Sequence, residues 1–173
     1  MSTHRVYLQL GANIGECEHN LMLASQAIEE RIGHIPVRSS IYKTQPWGKF
    51  ADNQVPMFYN QVLCAHTTLS PEALLSTCQA IERSLGKTAS HIASTPEGNR
   101  VYASRLIDID ILFYDQLVLQ TPTLTIPHCL LHKRTFVLEP LCEIAPTLMH
   151  PLLKQTVADM LKQAEKQEEQ SPA

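Results

Sequence analysis

Three observations predict an α/β (α+β) sandwich for this chain. Extended and helical patterns follow in the order strand, helix, strand, strand, helix, strand, which fits a ferredoxin-like two- or three-layer arrangement with a mainly antiparallel sheet and flanking helices. One stretch, residues 105–114, carries Ile107, Ile109, Ile111 and Phe113 on one parity and Asp108 and Asp110 on the other, the alternation of a strand with one buried face. Two long segments without periodicity, 45–56 and 87–104, interrupt the elements, and loops of that length in a compact domain are usually functional or disordered. The pattern predicts helices on one face of the sheet. The second face is expected to be exposed, to hold the polar ends of the strands, and to carry any ligand site.

The elements follow in order. Residues 6–10 alternate apolar and polar side chains, and Gly11-Ala12-Asn13 ends that strand. From 17 to 32, Leu21, Ala24, Ile28 and Ile32 recur on one helical face, with Gly33 at the place of a C-cap. Residues 35–44 read as extended and lead into the loop 45–56, and a further extended run, 57–67, contains Phe58, Val62 and Leu63. Ser70 suits a helix N-cap and Pro71 the first turn; Leu74, Cys78, Ile81 and Leu85 then share a face, and Gly86 closes it. After the strand at 105–114, a hairpin-like stretch runs from Asp115 to Ile126, followed by short helical segments over 129–144 and 156–163. Residues 1–163 form a single domain on this reading, and 164–173 a polar, frayed tail.

Composition excludes several classes of function. Hydrophobic residues make up 44% and charged residues 18% of 173 positions, the balance of an ordinary globular domain large enough to need no staples. The formal charge is −3 and Lys and Arg are scattered, which argues against nucleic-acid binding, where a clustered basic face is needed. The five cysteines include no C-x-x-C pair and read as reduced, mostly buried thiols rather than zinc ligands. The first residues hold no apolar signal segment, and no run approaches the roughly 18 apolar residues of a membrane span. A cytoplasmic monomer with no nucleic-acid or membrane partner is expected.

The aspartate pair is the chemically informative feature. Period 2 places Asp108 and Asp110 on one face, about 7 Å apart along the backbone. Such a pair is either a solvated strand edge or a place for magnesium, which is held by one or two carboxylates together with substrate phosphates. Its context favours the metal: the opposite parity is apolar, Arg105 precedes the pair, and a long loop leads into it. Phosphoryl transfer needs metals on the phosphates, cations on the developing charge, and a lid against water. Residues 127–134 add His128, His132, Lys133 and Arg134; phosphate contacts for His128 and Arg134 stand beside a structural role. The histidines lack the H-E-x-x-H pattern of zinc proteases, and there is no Walker A motif, G-x-G-x-x-G or kinase catalytic loop. If ATP binds, it binds by another architecture.

Several motifs in series carry a family resemblance. Arg105-Leu106-Ile107-Asp108-Ile109-Asp110-Ile111-Leu112-Phe113 resembles the R-x-L-D-L-D-I-L signature of the 6-hydroxymethyl-7,8-dihydropterin pyrophosphokinases. Leu10-Gly11-Ala12-Asn13 is similar to that family's G-S/A-N turn, and Tyr42-Lys43-Thr44-Gln45-Pro46-Trp47-Gly48 to its Y-x-T-x-P-x-G loop. Phe58-Tyr59-Asn60 resembles Y-x-N, Ile126-Pro127-His128 with Arg134 and Phe136 resembles V-P-H and R-x-F, and 140–146 resembles the closing P-L-x-E-I-A-P. The likeness covers residues 5–151. This chain departs from the pattern at Tyr102-Ala103-Ser104, where Trp-Gly-Pro is usual, and at Gln45, Lys87 and Cys129.

The resemblance implies a reaction and roles. ATP would donate a pyrophosphoryl group to the hydroxymethyl of the pterin, with AMP leaving. Asp108 and Asp110 would hold two magnesium ions on the phosphates, beside Arg105 as a catalytic cation. Gln79, Glu82, Lys87, Thr125, His128 and Arg134 would line the ATP site. Asn13, Thr44, Gln45, Trp47, Phe58, Asn60 and Phe136 would line the pterin site, with Phe58 and Phe136 sandwiching the ring, although core packing alone would also explain those two aromatics. The loops 45–56 and 87–104 would close over the ligands. Two other readings are a magnesium-dependent nucleotidyltransferase, which would release pyrophosphate, and a small-ligand sensor without turnover.

Overall fold

The computed structural model of the chain describes residues 2–44, 57–86 and 106–170. Strand β1 (His4–Ala12) leads to helix α1 (Cys17–Arg31), strands β2 (Gly33–Arg38) and β3 (Tyr42–Thr44), and the long strand β4 (Phe58–Thr67). Helix α2 (Pro71–Ser84) and strand β5 (Asp108–Tyr114) complete the expected order. The sheet runs β2-β4-β1-β5, with β3 pairing the far end of β4 beside β2, and each of these pairings is antiparallel. The ferredoxin-like expectation therefore holds, with the extended run 35–44 broken into two strands at Ser39–Ile41. Ser39 makes that break by bonding β4 twice: its N–H donates to the Val62 carbonyl at 2.8 Å, and its Oγ accepts from the Val62 N–H at 3.0 Å.

Local signals account for α1 and α2. In α2, the Ser70 hydroxyl accepts from the Ala73 N–H at 3.2 Å, and Pro71 occupies the first turn, so both predicted start signals operate. Leu74, Cys78 and Ile81 of α2 and Cys17, Leu21, Ala24 and Ile28 of α1 pack on Val6, Leu8, Leu10, Leu63, Ala65, Ile107, Ile109 and Ile111. Each Leu or Ile fully buried this way contributes roughly 1.5–3 kcal/mol before entropy is counted.

The second face is not left open as the sequence reading expected. After the short ribbon of β6 (Leu119–Gln120) and β7 (Thr125–Ile126), a 3-10 turn at Leu131–Lys133 leads into α3 (Thr135–Ile144), and α4 (Val157–Gln170) lies against it. These helices bury Val137, Leu138, Leu141, Val157, Met160 and Ala164 on Tyr7, Val62, Cys64, Leu112 and Phe113. The molecule thus has three layers, and helices on one face alone is corrected. The tail expected to fray from Ala164 is instead helical to Gln170, because Ala164 continues the buried stripe of α4 and is 3% exposed.

A β-bulge decides which core Phe113 joins. Tyr7 pairs with Phe113 but Leu8 with Ile111, so Leu112 is the extra residue. Phe113 consequently joins Tyr7 and Leu112 in the second core, opposite Ile107, Ile109 and Ile111, where the alternation had placed it with them. The second face is divided in two: one half is apolar under α3 and α4. The other half carries Asn60, Gln9, Gly11, Asp108 and Asp110.

Candidate active site

Three adjacent strands bring the polar half together. Asn60 on β4 stands opposite Gly11 on β1, which stands opposite Asp108 on β5; in the next row on this face, Val62, Gln9 and Asp110 are opposite one another. Strand spacing sets Asn60 and Asp108 about 10 Å apart. Gly11 keeps the floor between them level: a Cβ there would meet Asn60 Oδ1 at 3.4 Å and Gln9 Nε2 at 3.6 Å. Asp108 and Asp110 are both half-buried, on a strand whose alternate residues are sealed in the core.

Asn60 is 2% exposed and held from both sides. Gln9 donates from Nε2 to its Oδ1 at 3.0 Å, and its own Nδ2 donates to Thr44 Oγ1 at 2.9 Å. An amide has two N–H groups and two oxygen lone pairs, so among the described residues these two bonds use one of each, and one N–H and one lone pair remain for a ligand edge. Thr44 pairs directly with Phe58, which puts Phe58 on the same face two residues from Asn60. Gln9 was read from sequence only as the polar half of an alternation; a lone amide among apolar neighbours, on the parity of Gly11 and the aspartates, was the signal.

The outer edge of β5 is satisfied by two residues expected at a nucleotide site. Glu82 is 4% exposed, and its Oε2 accepts the Ile109 N–H at 2.8 Å, between the two aspartates. The His128 N–H donates to the Leu112 carbonyl at 3.1 Å, just after the cis Ile126-Pro127 bond. Edge strands need such partners where they are buried. Replacing Glu82 by Leu leaves a buried N–H without its acceptor and should cost about 1–3 kcal/mol, whereas Glu82→Gln keeps an acceptor and should cost less. Denaturant unfolding checks this as a shift in midpoint at unchanged slope.

Burial first, and then the Arg134 cation, push the His128 pKa down to about 4, against a smaller upward pull from Asp108. The imidazole is therefore neutral near pH 7, with Nδ1 accepting the Leu130 N–H at 3.3 Å. The unfolded chain takes up this proton near pH 6.5 and the native state only near 4, so His128 lowers stability as pH falls between those values. The loss approaches about 3 kcal/mol. A His128→Asn variant, which cannot titrate there, should lose less stability than the parent over the same interval in equilibrium unfolding.

The remaining expected residues are more dispersed. The Arg134 guanidinium lies 5.7 Å from the centre of the Phe136 ring, at the start of α3. Asn13 is 2% exposed and lines an open cleft of about 780 Å³ with Gly15, Cys17, Met57 and Tyr59 at the end of the sheet. Gln79 is exposed one turn before Glu82, and Thr125 is exposed on β7. Arg105, Lys87, Gln45 and Trp47 lie outside the described residues, as do the loops 45–56 and 87–104. Among the described residues no group of three or more His, Cys, Asp or Glu gathers as a transition-metal site would require. Two carboxylates on one face are instead the hard-oxygen set that suits magnesium completed by phosphate and water.

The model of one protein family, 7,8-dihydro-6-hydroxymethylpterin-pyrophosphokinase (HPPK), matches residues 7–146 of this chain, a span that contains the whole sheet face just described. The chain belongs to the HPPK family. A 2-amino-4-hydroxy-6-hydroxymethyldihydropteridine pyrophosphokinase of Porphyromonas gingivalis is 37% identical over 147 residues, 84% of this chain and 93% of that protein. One of Aquifex aeolicus is 34% identical over 154 residues, 89% and 88% of the two chains. The folic acid synthesis protein of Schizosaccharomyces pombe is 35% identical over 156 residues, and this chain spans 20% of it. The fold matches the solved structure of Plasmodium falciparum HPPK-DHPS with a TM-score of 0.74 at 17% identity, covering 98% of this chain and 44% of that one. The HPPK domain can thus stand nearly alone or within a much longer chain. No helix among the described residues is long and apolar enough to cross a membrane.

Proposed function

We propose that the chain transfers a pyrophosphoryl group from ATP to the hydroxymethyl of 6-hydroxymethyl-7,8-dihydropterin, giving AMP and the pterin diphosphate, a step of folate biosynthesis. The observation that supports this reading is the row Asn60–Gly11–Asp108, which sets the Asn60 amide and the Asp108 carboxylate about two strands apart over a level floor. A bicyclic ring whose edge meets Asn60 and Thr44 lies over Gly11, with its hydroxymethyl directed to the aspartates. Phe58 and Phe136 stack on the ring, and Asn13, Gln45 and Trp47 complete its surroundings. A site of this kind discriminates strongly, because an analogue lacking the matching edge leaves buried polar groups unpaired.

On the donor side, Asp108 and Asp110 hold two magnesium ions, which supply charge to the phosphates when bound. Arg105 and Arg134 place further positive charge there, and neutral His128 offers a ring N–H to a phosphate oxygen. Gln79, Glu82, Lys87 and Thr125 line the nucleotide, with Glu82 acting also through its hold on Ile109. The hydroxymethyl oxygen forms a bond to the β-phosphorus as the bond from that phosphorus to the α,β-bridging oxygen breaks. AMP leaves with that oxygen, and the hydroxyl proton passes to solvent. No strong base faces the described site, so positioning and charge supply most of the acceleration. We infer a single catalytic domain over 1–163, working as a cytoplasmic monomer without nucleic-acid or membrane partners.

Product analysis with magnesium, ATP and 6-hydroxymethyl-7,8-dihydropterin tests this directly. AMP and pterin diphosphate in equal amounts are expected. Release of pyrophosphate would point instead to nucleotidyl transfer, and binding without turnover to a sensor.

A further inference from the structure

Glu143 stands where helix energetics do not favour it. It is the penultimate residue of α3, and a carboxylate in the last turn faces the negative end of the helix dipole, at a cost of about 0.3–1 kcal/mol. Its oxygens are occupied by another element. Tyr42 on β3 donates its hydroxyl to Oε1 at 2.7 Å. Ser40 donates its N–H across both oxygens, at 3.2 and 3.0 Å, and its hydroxyl to Oε2 at 3.1 Å. These contacts join residues 101 to 103 positions apart.

The two elements so joined carry opposite sides of the acceptor site. β3 is three residues long, is held in the sheet by β4 alone among the described residues, and bears Thr44, which bonds Asn60. Tyr42 is itself the cross-strand partner of Asn60, so a shift of β3 is felt at the reading edge. Seven residues before Glu143, about 10 Å along the helix axis, α3 carries Phe136 in its first turn. A restraint at one end of a ten-residue helix sets the position of the other. Hydrogen bonding to Glu143 holds the Tyr42 proton tightly, raising its pKa to about 12, and the same bond lowers that of Glu143, so the pair is a charged acceptor with a neutral donor. Such bonds are the stronger kind.

We propose that Glu143, through Tyr42 and Ser40, is a positioning residue that fixes the gap between β3 and α3 and thereby the fit of the pterin acceptor. This rests on the reading above that Thr44, Asn60 and Phe136 hold that acceptor.

Steady-state kinetics with magnesium-ATP and 6-hydroxymethyl-7,8-dihydropterin, together with thermal melts, test it on Glu143→Ala, Glu143→Gln, Tyr42→Phe and the Ala/Phe double variant. Glu143→Ala should raise the KM for the pterin about tenfold, with the KM for ATP and kcat within about twofold of the parent. Tyr42→Phe should raise it about threefold, Glu143→Gln should restore most of the loss, and the double variant should be no worse than Glu143→Ala, since both remove one connection. A pterin KM that stays at the parent value, or one that rises in step with the KM for ATP, overturns the inference. If Glu143→Ala does not fold, Tyr42→Phe and Glu143→Gln decide by the same criteria. Asn60→Ala separates the two readings: a raised pterin KM there with no change at Glu143 sinks only the clamp. No change at Asn60 sinks the acceptor site, and the clamp with it.

Discussion

Asp110→Ala should reduce kcat/KM by about 10³-fold or more while leaving the protein folded. On the proposed reading Asp110 is one of two carboxylates that would hold the phosphate-bound cations; losing it would take away several kcal/mol of transition-state stabilisation, and about 4 kcal/mol corresponds to that factor. Asp110 is half-buried on the polar half of the sheet, so little packing is lost with it. Thermal stability of the ligand-free variant should therefore stay close to that of the parent. Kinetics at a series of magnesium concentrations, with melts of the same samples, check both halves. Activity within tenfold of the parent would remove Asp110 from the chemistry, and a large drop in melting temperature would make it a structural residue.

Among the described glycines, Gly33→Ala should be the most destabilising methyl addition, at a position remote from the chemistry. A Cβ at Gly33 would lie 1.7 Å from the His66 carbonyl oxygen and 2.8 Å from its carbon, atoms of a central strand that cannot step aside. Gly33 pairs with Thr67 at the start of β2, so the clash pushes β2 away from β4. A cost on the order of 3 kcal/mol follows, or about 6–12 °C in melting temperature for a chain of this size. Asn60 lies six residues along β4, about 20 Å away, so the folded fraction should keep its activity at low temperature. By sequence the glycine stands at the place of a helix cap. In the structure Ile32 caps α1 in the helical conformation, and the demand for glycine comes from the close approach of two strands.

Much of this protein is written locally. The capping Ser70 and Pro71, the apolar faces of α1 and α2 and the alternation around Asp108 and Asp110 act over a few residues, and each appears in the structure where the sequence put it. The ordered motifs of residues 5–151 likewise carry the family resemblance without reference to the fold. What no local period encodes is which surfaces meet. The apolar stripes of α3 and α4 were readable as helical but not as a cover for the second sheet face, since any exposed apolar face would accept them. The bulge at Leu112 inserts one residue, and one residue is enough to move Phe113 from one core to the other. Glu82 on the edge of β5, Gln9 on Asn60 and Glu143 on β3 are contacts across 27, 51 and about 100 positions. The sequence by itself determined the elements, their order and the aspartate pair. The tertiary structure alone decided which polar side chains hold that pair and its facing amide in place, because hydrogen-bond partners so far apart are chosen by packing and not by spacing.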